Sequence, residues 1–122
     1  MRILVVDDSA TMRSIIQKEL LALNEKDLVL CDSGDAALNE LEKGGIALIL
    51  LDWHMEGLSG LDVLRIVKHH PKTKAIPVIM LTVEEHARSV QEALDSGADD
   101  YMVKPLNPAL LKDKLEKIRE EK

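Results

Sequence analysis

The chain has 122 residues, and its 16 basic and 22 acidic side chains give a formal net charge of −6 at pH 7. This length predicts one domain spanning residues 1–122 with no output domain, and the acidic balance argues against a surface for nucleic acid or anionic membrane. Residues 46–51 form the longest apolar run, far shorter than the roughly 20 residues of a membrane span.

Apolar runs alternate with helical patterns along the chain. The first run, residues 3–6, predicts a strand, and Ser9 then caps a helix with apolar positions at Met12, Ile15, Ile16, Leu20 and Leu23. The pattern continues with strand 28–31 and helix 35–43, strand 46–51 and helix 59–70, strand 76–81 and helix 85–96. A last strand at 101–103 precedes a helix that starts at Pro108 with Asn107 as its N-cap.

Five strands alternating with five helices are typical of an α/β fold, in which a doubly wound parallel sheet is flanked by helices on both faces. In open sheets of this class, ligands bind beyond the carboxyl ends of the strands. The candidate functional residues are therefore the polar side chains that end the apolar runs: Asp7, Asp8, Asp52, Thr82 and Lys104.

These residue types suit phosphoryl chemistry. If the first and third strands are neighbours, Asp7, Asp8 and Asp52 meet, and two carboxylates about 4 Å apart repel by roughly 4 kcal/mol at an effective dielectric of 20. A bound cation relieves such crowding, and carboxylate oxygens beside a phosphate are the ligands that Mg²⁺ prefers. Lys104 adds a positive charge and Thr82 a hydroxyl, both useful beside a phosphoryl group.

The motifs along the chain resemble those of a receiver domain of a two-component response regulator, close in layout to the single-domain chemotaxis regulators. They span nearly the whole sequence: Val5-Val6-Asp7-Asp8-Ser9, Leu51-Asp52-Trp53-His54-Met55, Gly60, Leu81-Thr82, Gly97-Ala98-Asp99-Asp100-Tyr101 and Val103-Lys104-Pro105. The resemblance implies a flavodoxin-like sheet with the strand order 2-1-3-4-5.

The resemblance also implies roles for individual residues. Asp52 would accept a phosphoryl group from a histidine kinase or a histidine phosphotransfer domain. Asp8, Asp52 and the backbone carbonyl of His54 would ligate Mg²⁺, with Asp7 acting through a bound water. Lys104 would contact the phosphoryl group, and its peptide bond to Pro105 would be cis.

A receiver of this kind would work as a switch. Thr82 would move toward the phosphoryl group and Tyr101 would turn inward, which would change the face formed by helix four, strand five and helix five. That face would bind a downstream protein target. We expect a monomer that catalyses its own phosphotransfer and autodephosphorylation. The single cysteine, Cys31, fits a reducing compartment and hence the cytoplasm.

Four positions leave the timing of the reaction open. The family commonly has Pro where Glu56 stands, and a smaller residue where Val83 follows Thr82. The bulk of Val83 predicts slow phosphotransfer, slow hydrolysis, or both. His54 and Glu84 occupy the variable positions that, in this family, tune the lifetime of the acyl phosphate.

Other functions of the same architecture fit less well. A flavin-binding electron carrier would need a hydroxyl- and amide-rich loop where Asp7 and Asp8 stand. A dehalogenase-type phosphatase would have a second acid two residues after its nucleophile, where this chain has His54. The main alternative is a degenerate receiver that binds its partner without phosphorylation. Such receivers usually lack the acceptor, an acidic partner or the lysine, and all three are present here.

Overall fold

The computed structural model describes residues 1–83 and 87–120. These residues form five strands: β1 (Ile3–Val6), β2 (Leu28–Cys31), β3 (Leu48–Asp52), β4 (Val78–Thr82) and β5 (Asp100–Val103). The same described residues form five helices, one after each strand: α1 (Ala10–Ala22), α2 (Gly34–Glu42), α3 (Gly60–His69), α4 (Ala87–Asp95) and α5 (Pro108–Glu120). All strand pairs are parallel, in the order β2-β1-β3-β4-β5. The predicted fold class and strand order are confirmed.

The three central strands are buried on both faces. Every residue of β1, β3 and β4 is buried, whereas β2 and β5 lie at the edges and are partly exposed. Continuous apolar sequence is what a parallel strand between two helical layers requires. The runs that looked apolar throughout are therefore the centre of the sheet.

Side chains alternate between two aliphatic clusters along each central strand. In β1, Leu4 and Val6 pack with residues of α2, α3 and α4, whereas Ile3 and Val5 pack with residues of α1 and α5. This alternation follows from the two-residue period of a strand. Three helices therefore pack on one face of the sheet and two on the other, and loops form its carboxyl edge.

Several predicted boundaries were wrong by one or two residues. Strand β3 starts at Leu48 rather than at residue 46, because Leu48 pairs with Ile3, the first residue of β1. Strand β4 likewise starts at Val78 and extends through Thr82. Helix α2 starts at Gly34 because the Ser33 side chain caps it, accepting a hydrogen bond from the backbone N–H of Ala36.

Other differences concern helix faces and ends. Ile15, one of the apolar positions that predicted α1, is 40% exposed, and Ile16 and Leu20 are the buried residues of that helix. Helix α3 begins with a capping box, in which the side chains of Ser59 and Asp62 each accept a hydrogen bond from the other residue's backbone N–H. The predicted start of α4 falls partly on residues 84–86, outside the described ranges. Within those ranges, no helix is long and apolar enough to cross a membrane.

Candidate functional site

The polar residues that end four strands lie at one edge of the sheet. Asp7 follows β1 directly, Asp52 and Thr82 are the last residues of β3 and β4, and Lys104 follows β5. The strand register puts Val6 opposite Leu51 and Thr82 opposite Val103, so these strand ends are level with one another. The predicted convergence at the carboxyl edge is thus present in the structure.

Lys104 joins the first and third strands through its amine. Its Nζ donates hydrogen bonds to Asp7 Oδ2 at 2.7 Å and to Asp52 Oδ1 at 2.8 Å. The three side chains are nearly inaccessible, with exposed fractions of 9%, 1% and 6% in that order. The backbone N–H of Lys104 donates to the Thr82 carbonyl, and the Lys104–Pro105 peptide bond is cis. A buried cation therefore bridges two buried carboxylates.

The acidic residues form a compact set of oxygen donors. One carboxylate oxygen from each of Asp7, Asp8 and Asp52 lies within 4.8 Å of the others. Asp7 and Asp52 are buried, whereas Asp8 is exposed and lines a cavity of about 350 Å³ together with Trp53, His54, Met55, Glu56 and Ser59. Hard oxygen donors next to an open cavity fit Mg²⁺, which keeps several waters and uses one or two carboxylates.

Burial and charge shift the pKa values of two groups in this set. Burial raises the pKa of Asp52, and the charges of Asp7 and Asp8 raise it further, although the hydrogen bond and charge of Lys104 act in the opposite direction. Burial would lower the pKa of Lys104, but its hydrogen bonds to Asp52 and Asp7 outweigh that effect and raise it. Lys104 is thus held as a cation, while the Asp52 carboxylate is disfavoured until positive charge is added.

Asp7 has protein partners on both its backbone and its side chain. Its N–H donates to the Cys31 carbonyl at 3.1 Å, and its Oδ1 accepts a hydrogen bond from the Ser9 backbone N–H at 2.9 Å. Its carbonyl oxygen accepts a hydrogen bond from Arg13 Nη1 at 2.6 Å. With Oδ2 bonded to Lys104, both carboxylate oxygens are engaged, which suits a residue that acts through a water rather than as a direct ligand.

Sequence reasoning missed Arg13. A basic residue near the start of a helix opposes the helix dipole, and Arg13 stands in the first turns of α1, five positions after Asp8. The unfavourable position of Arg13 relative to the helix dipole was the signal in the sequence that this side chain has a specific partner. In the structure, the Arg13 guanidinium reaches back over the first turn of α1 to the loop that carries Asp7 and Asp8.

Gly60 lets the start of α3 approach the end of β3. A Cβ atom at this position would lie 2.1 Å from the Asp52 carbonyl oxygen and 2.9 Å from Trp53 Cα. The Gly60 N–H also donates to the Trp53 carbonyl at 2.9 Å. The absence of a side chain at Gly60 therefore fixes how closely α3 packs against the segment that carries Asp52.

The remaining predicted residues surround this centre. Thr82 is buried, with 3% of its surface exposed, whereas Val83 immediately after it is 66% exposed. His54 is exposed in the loop after β3, its ring tilted by 38° to that of Trp53. Tyr101 is partly buried against the cluster that includes α2, α3 and α4. Glu84 lies outside the described residues.

A groove of about 720 Å³ runs between β5 and α5 and is lined by Tyr101, Lys104, Leu110 and Lys114, among others. Two of its lining residues are paired, because Lys114 Nζ donates a hydrogen bond to Asp100 Oδ2 at 2.6 Å. Tyr101 and Lys104 belong to the same short segment. Because Lys104 lines the groove and also bonds Asp7 and Asp52, the groove adjoins the acidic site.

Comparison with known proteins gives consistent matches over nearly the whole chain. The family profile described as "Response regulator receiver domain" matches residues 3–116. The chain is 40% identical over 120 residues to "Chemotaxis protein CheY" of Pseudomonas aeruginosa, covering 98% of this chain and 97% of that protein. It is 39% identical to "Chemotaxis protein CheY-3" of Vibrio cholerae, covering 98% and 92%.

Solved structures agree with the sequence matches. The structure of the Vibrio cholerae chemotaxis protein CheY4 superposes with a TM-score of 0.88 at 28% identity, covering 96% of this chain and 97% of that one. The family is therefore established by the profile match and by the identity to these relatives, and the structural match agrees with it.

Proposed function

The chain belongs to the response regulator receiver domain family, and we propose that Asp52 accepts a phosphoryl group from a histidine kinase or a histidine phosphotransfer domain. The observation that carries the proposal is the Lys104 amine, which bridges Asp7 and Asp52 beside the exposed carboxylate of Asp8. This arrangement collects negative charge around one buried carboxylate and supplies a fixed cation next to it. It is suited to a reaction that adds a dianionic group at Asp52.

The proposed transfer is a displacement at phosphorus. Asp52 Oδ1 is bonded to Lys104, and Oδ2 is the proposed nucleophile. A bond forms between that oxygen and phosphorus while the phosphorus–nitrogen bond of the phosphohistidine breaks. The electron pair of the broken bond stays on the imidazole nitrogen, which takes up a proton from water. Lys104 stays close to the new phosphoryl oxygens and offsets their charge.

The donor set fits Mg²⁺ as the cofactor of this reaction. Asp8, Asp52 and the backbone carbonyl of His54 would hold the ion, and Asp7 would act through a water because its own oxygens already bond Ser9 and Lys104. When bound, the ion supplies positive charge that offsets the negative charge of Asp52 and the transferred group. The chain's own contribution is to hold Asp52 in place and to keep Lys104 charged beside it.

The output of the proposed switch is a protein-binding surface. A phosphoryl group on Asp52 offers Thr82 a hydrogen bond that exists only in the modified state, and Tyr101 turns inward in the same equilibrium. The surface of α4, β5 and α5, which includes the groove beside Tyr101, then binds a downstream protein. The relatives are named as chemotaxis proteins, which supports the proposal that this chain works in a chemotaxis-type pathway.

The direct test is the intact mass of the protein after incubation with Mg²⁺ and acetyl phosphate as a small-molecule phosphodonor. The parent protein is expected to gain one phosphoryl group, and excess EDTA is expected to prevent the gain. Asp52→Asn is expected to gain none, whereas Asp113→Asn, the same change at an exposed site on α5, is expected to behave like the parent.

The outcome separates the proposal from its main alternative. A protein that stays unmodified with Mg²⁺ and phosphodonor would be a receiver that binds its target without phosphorylation. If Asp52→Asn gains a phosphoryl group as readily as the parent, the acceptor is a different residue. Either result overturns the assignment of Asp52 as the phosphoacceptor.

A further inference from the structure

We propose that Arg13 is a positioning residue that orients the Asp7–Asp8 segment for binding a divalent cation, an inference that rests on the proposed function of the acidic site. Its guanidinium donates a hydrogen bond to the backbone carbonyl of Asp7, with Nη1 2.6 Å from the oxygen. A charge-assisted hydrogen bond this short is stronger and more directional than one between neutral groups. The contact is part-buried, so water competes with it only partly.

The orientation of the Asp7 carbonyl determines how the backbone continues to Asp8. The N–H of Asp7 is held by the Cys31 carbonyl at the end of β2, and its Oδ1 is held by the Ser9 N–H. The carbonyl belongs to the peptide group that joins Asp7 to Asp8, so the plane of that group sets the backbone from which the Asp8 side chain leaves. Arg13 holds this plane from the helix side.

Local structure explains why residue 13 can reach the loop. Ser9 caps α1, and the Arg13 N–H donates to the Ser9 carbonyl, which places Arg13 at the end of the first helical turn. Side chains on a helix lean toward its N-terminus, so the guanidinium extends back over that turn. This position opposes the helix dipole, and the hydrogen bond to Asp7 gives the unfavourable charge a function.

Because Arg13 is positively charged, an orienting role and a purely electrostatic role predict opposite changes in cation affinity when the residue is replaced. If Arg13 acted only as a positive charge near the acidic set, its removal would strengthen cation binding. If it orients Asp8, its removal weakens binding even though a repelling charge has gone. Residues that orient metal ligands typically change metal affinity by roughly 10- to 100-fold when they are replaced.

The choice of cation adds a second readout. Mg²⁺ requires near-ideal octahedral geometry, whereas Ca²⁺ accepts a wider range of ligand positions. A misdirected Asp8 therefore weakens Mg²⁺ binding more than Ca²⁺ binding. A general loss of stability or of charge would change the two affinities by similar factors.

The experiment titrates Mg²⁺ and, separately, Ca²⁺ into the parent, Arg13→Gln, Arg13→Lys and the control Arg65→Gln, following Trp53 fluorescence. Arg65 is exposed on α3, so its variant removes the same charge away from the loop. We expect Arg13→Gln to weaken Mg²⁺ binding at least about tenfold and Ca²⁺ binding less. Arg13→Lys keeps the charge without the planar donor and is expected to fall between Arg13→Gln and the parent.

Thermal unfolding in EDTA confirms that each variant is folded at the temperature of the titration. Unchanged or tighter Mg²⁺ binding in folded Arg13→Gln overturns the proposal, as does an equal loss for both cations. If the parent itself binds neither cation, the proposed function of the acidic site fails as well. If the parent binds Mg²⁺ and Arg13→Gln binds it equally, the role of Arg13 alone fails.

Discussion

Lys104 Nζ lies 2.8 Å from Asp52 Oδ1, although the two residues are 52 positions apart in the sequence. The same amine bonds Asp7, 97 positions away, so one side chain ties β5 to both β1 and β3. All three groups are buried, and a buried charge that loses its partner is strongly destabilising. The chemistry of the site and the stability of the sheet edge therefore depend on the same contacts.

Replacing Lys104 by Met is expected to destabilise the protein by about 3 kcal/mol in EDTA, because two buried carboxylates lose their cation. Part of this loss should be recovered in Mg²⁺, since an ion that binds only the folded state stabilises it by mass action. Urea denaturation in the two buffers measures both effects. Lys72→Met, at an exposed position, is the matched control. A Lys104→Met protein as stable as Lys72→Met in EDTA would contradict the account.

Asp52→Asn is expected to be more stable than the parent at pH 7 in EDTA, because Lys104 keeps its bond to Asp7 while a carboxylate disfavoured by burial is removed. Burial raises the pKa of Asp52 in the folded state above its unfolded value, so its contribution to stability is present below the unfolded pKa and is lost as pH rises through the folded pKa. The advantage of the variant should therefore shrink as the pH falls toward 3.8, the ordinary pKa of the group.

Denaturation of the parent and of Asp52→Asn at a series of pH values measures this difference directly. Asp113→Asn, with an exposed carboxyl, is the control for the general effect of removing an acid. An advantage that is absent at pH 7, or that grows as the solution is acidified, would show that Asp52 is not strained by burial.

Gly60→Ala is expected to destabilise the protein by about 2 kcal/mol, a typical cost of overpacking, even though Ala favours helices more than Gly does. The added Cβ would fall 2.1 Å from the Asp52 carbonyl oxygen, so α3 or the end of β3 must move. Mg²⁺ binding should weaken as well, because the moved segment carries Asp52 and His54.

Gly44→Ala is the control that separates the cost of overpacking at Gly60 from the cost of replacing a glycine with a strained backbone. Gly44 has φ of +79° and no atom within 4 Å of the added Cβ, so its replacement costs only the left-handed conformation, about 1 kcal/mol. Urea denaturation should show the larger loss at Gly60, and Mg²⁺ titration should leave Gly44→Ala unchanged. Equal losses of stability and of Mg²⁺ affinity at the two positions would show that the close contact between Gly60 and Asp52 has no special role.

Val83→Ala is expected to speed both phosphorylation by acetyl phosphate and loss of the phosphoryl group. Val83 follows Thr82 directly and is 66% exposed, and we expect its bulk to limit the approach of a donor or water to Asp52. Rates come from intact mass measured at successive times, before and after removal of the donor. Val90→Ala, on a neighbouring helix, controls for a simple loss of apolar surface. Unchanged rates in Val83→Ala would show that its bulk does not limit access.

The sequence predicted which polar residues meet at the carboxyl edge of the sheet better than it predicted the element boundaries. Asp7, Asp52, Thr82 and Lys104 each follow or end a continuous apolar run, and parallel strands bring such positions to one edge. The strand order came from the family resemblance, because alternation alone does not determine which strands are neighbours. The start of β3 was missed because pairing with Ile3, a tertiary property, sets where the ladder begins.

Other features depend on contacts that no local pattern records. The guanidinium of Arg13 reaches a carbonyl six positions earlier, and its position looked merely unfavourable for a helix. Ile15 fits the apolar spacing of α1 but is exposed, because the helix buries Ile16 and Leu20 instead. The close approach of Gly60 to Asp52 likewise depends on how α3 docks.

The fluorescence of Trp53, the residue after the proposed acceptor, tests the central claim most directly. Trp53 lines the cavity beside Asp8, and its backbone N–H is bonded to the Leu81 carbonyl on β4. We predict that Mg²⁺ changes the parent's fluorescence and that acetyl phosphate then changes it again, whereas Asp52→Asn loses the second response. A second response of equal size in Asp52→Asn, or a parent that responds to neither addition, would contradict phosphoryl acceptance at Asp52.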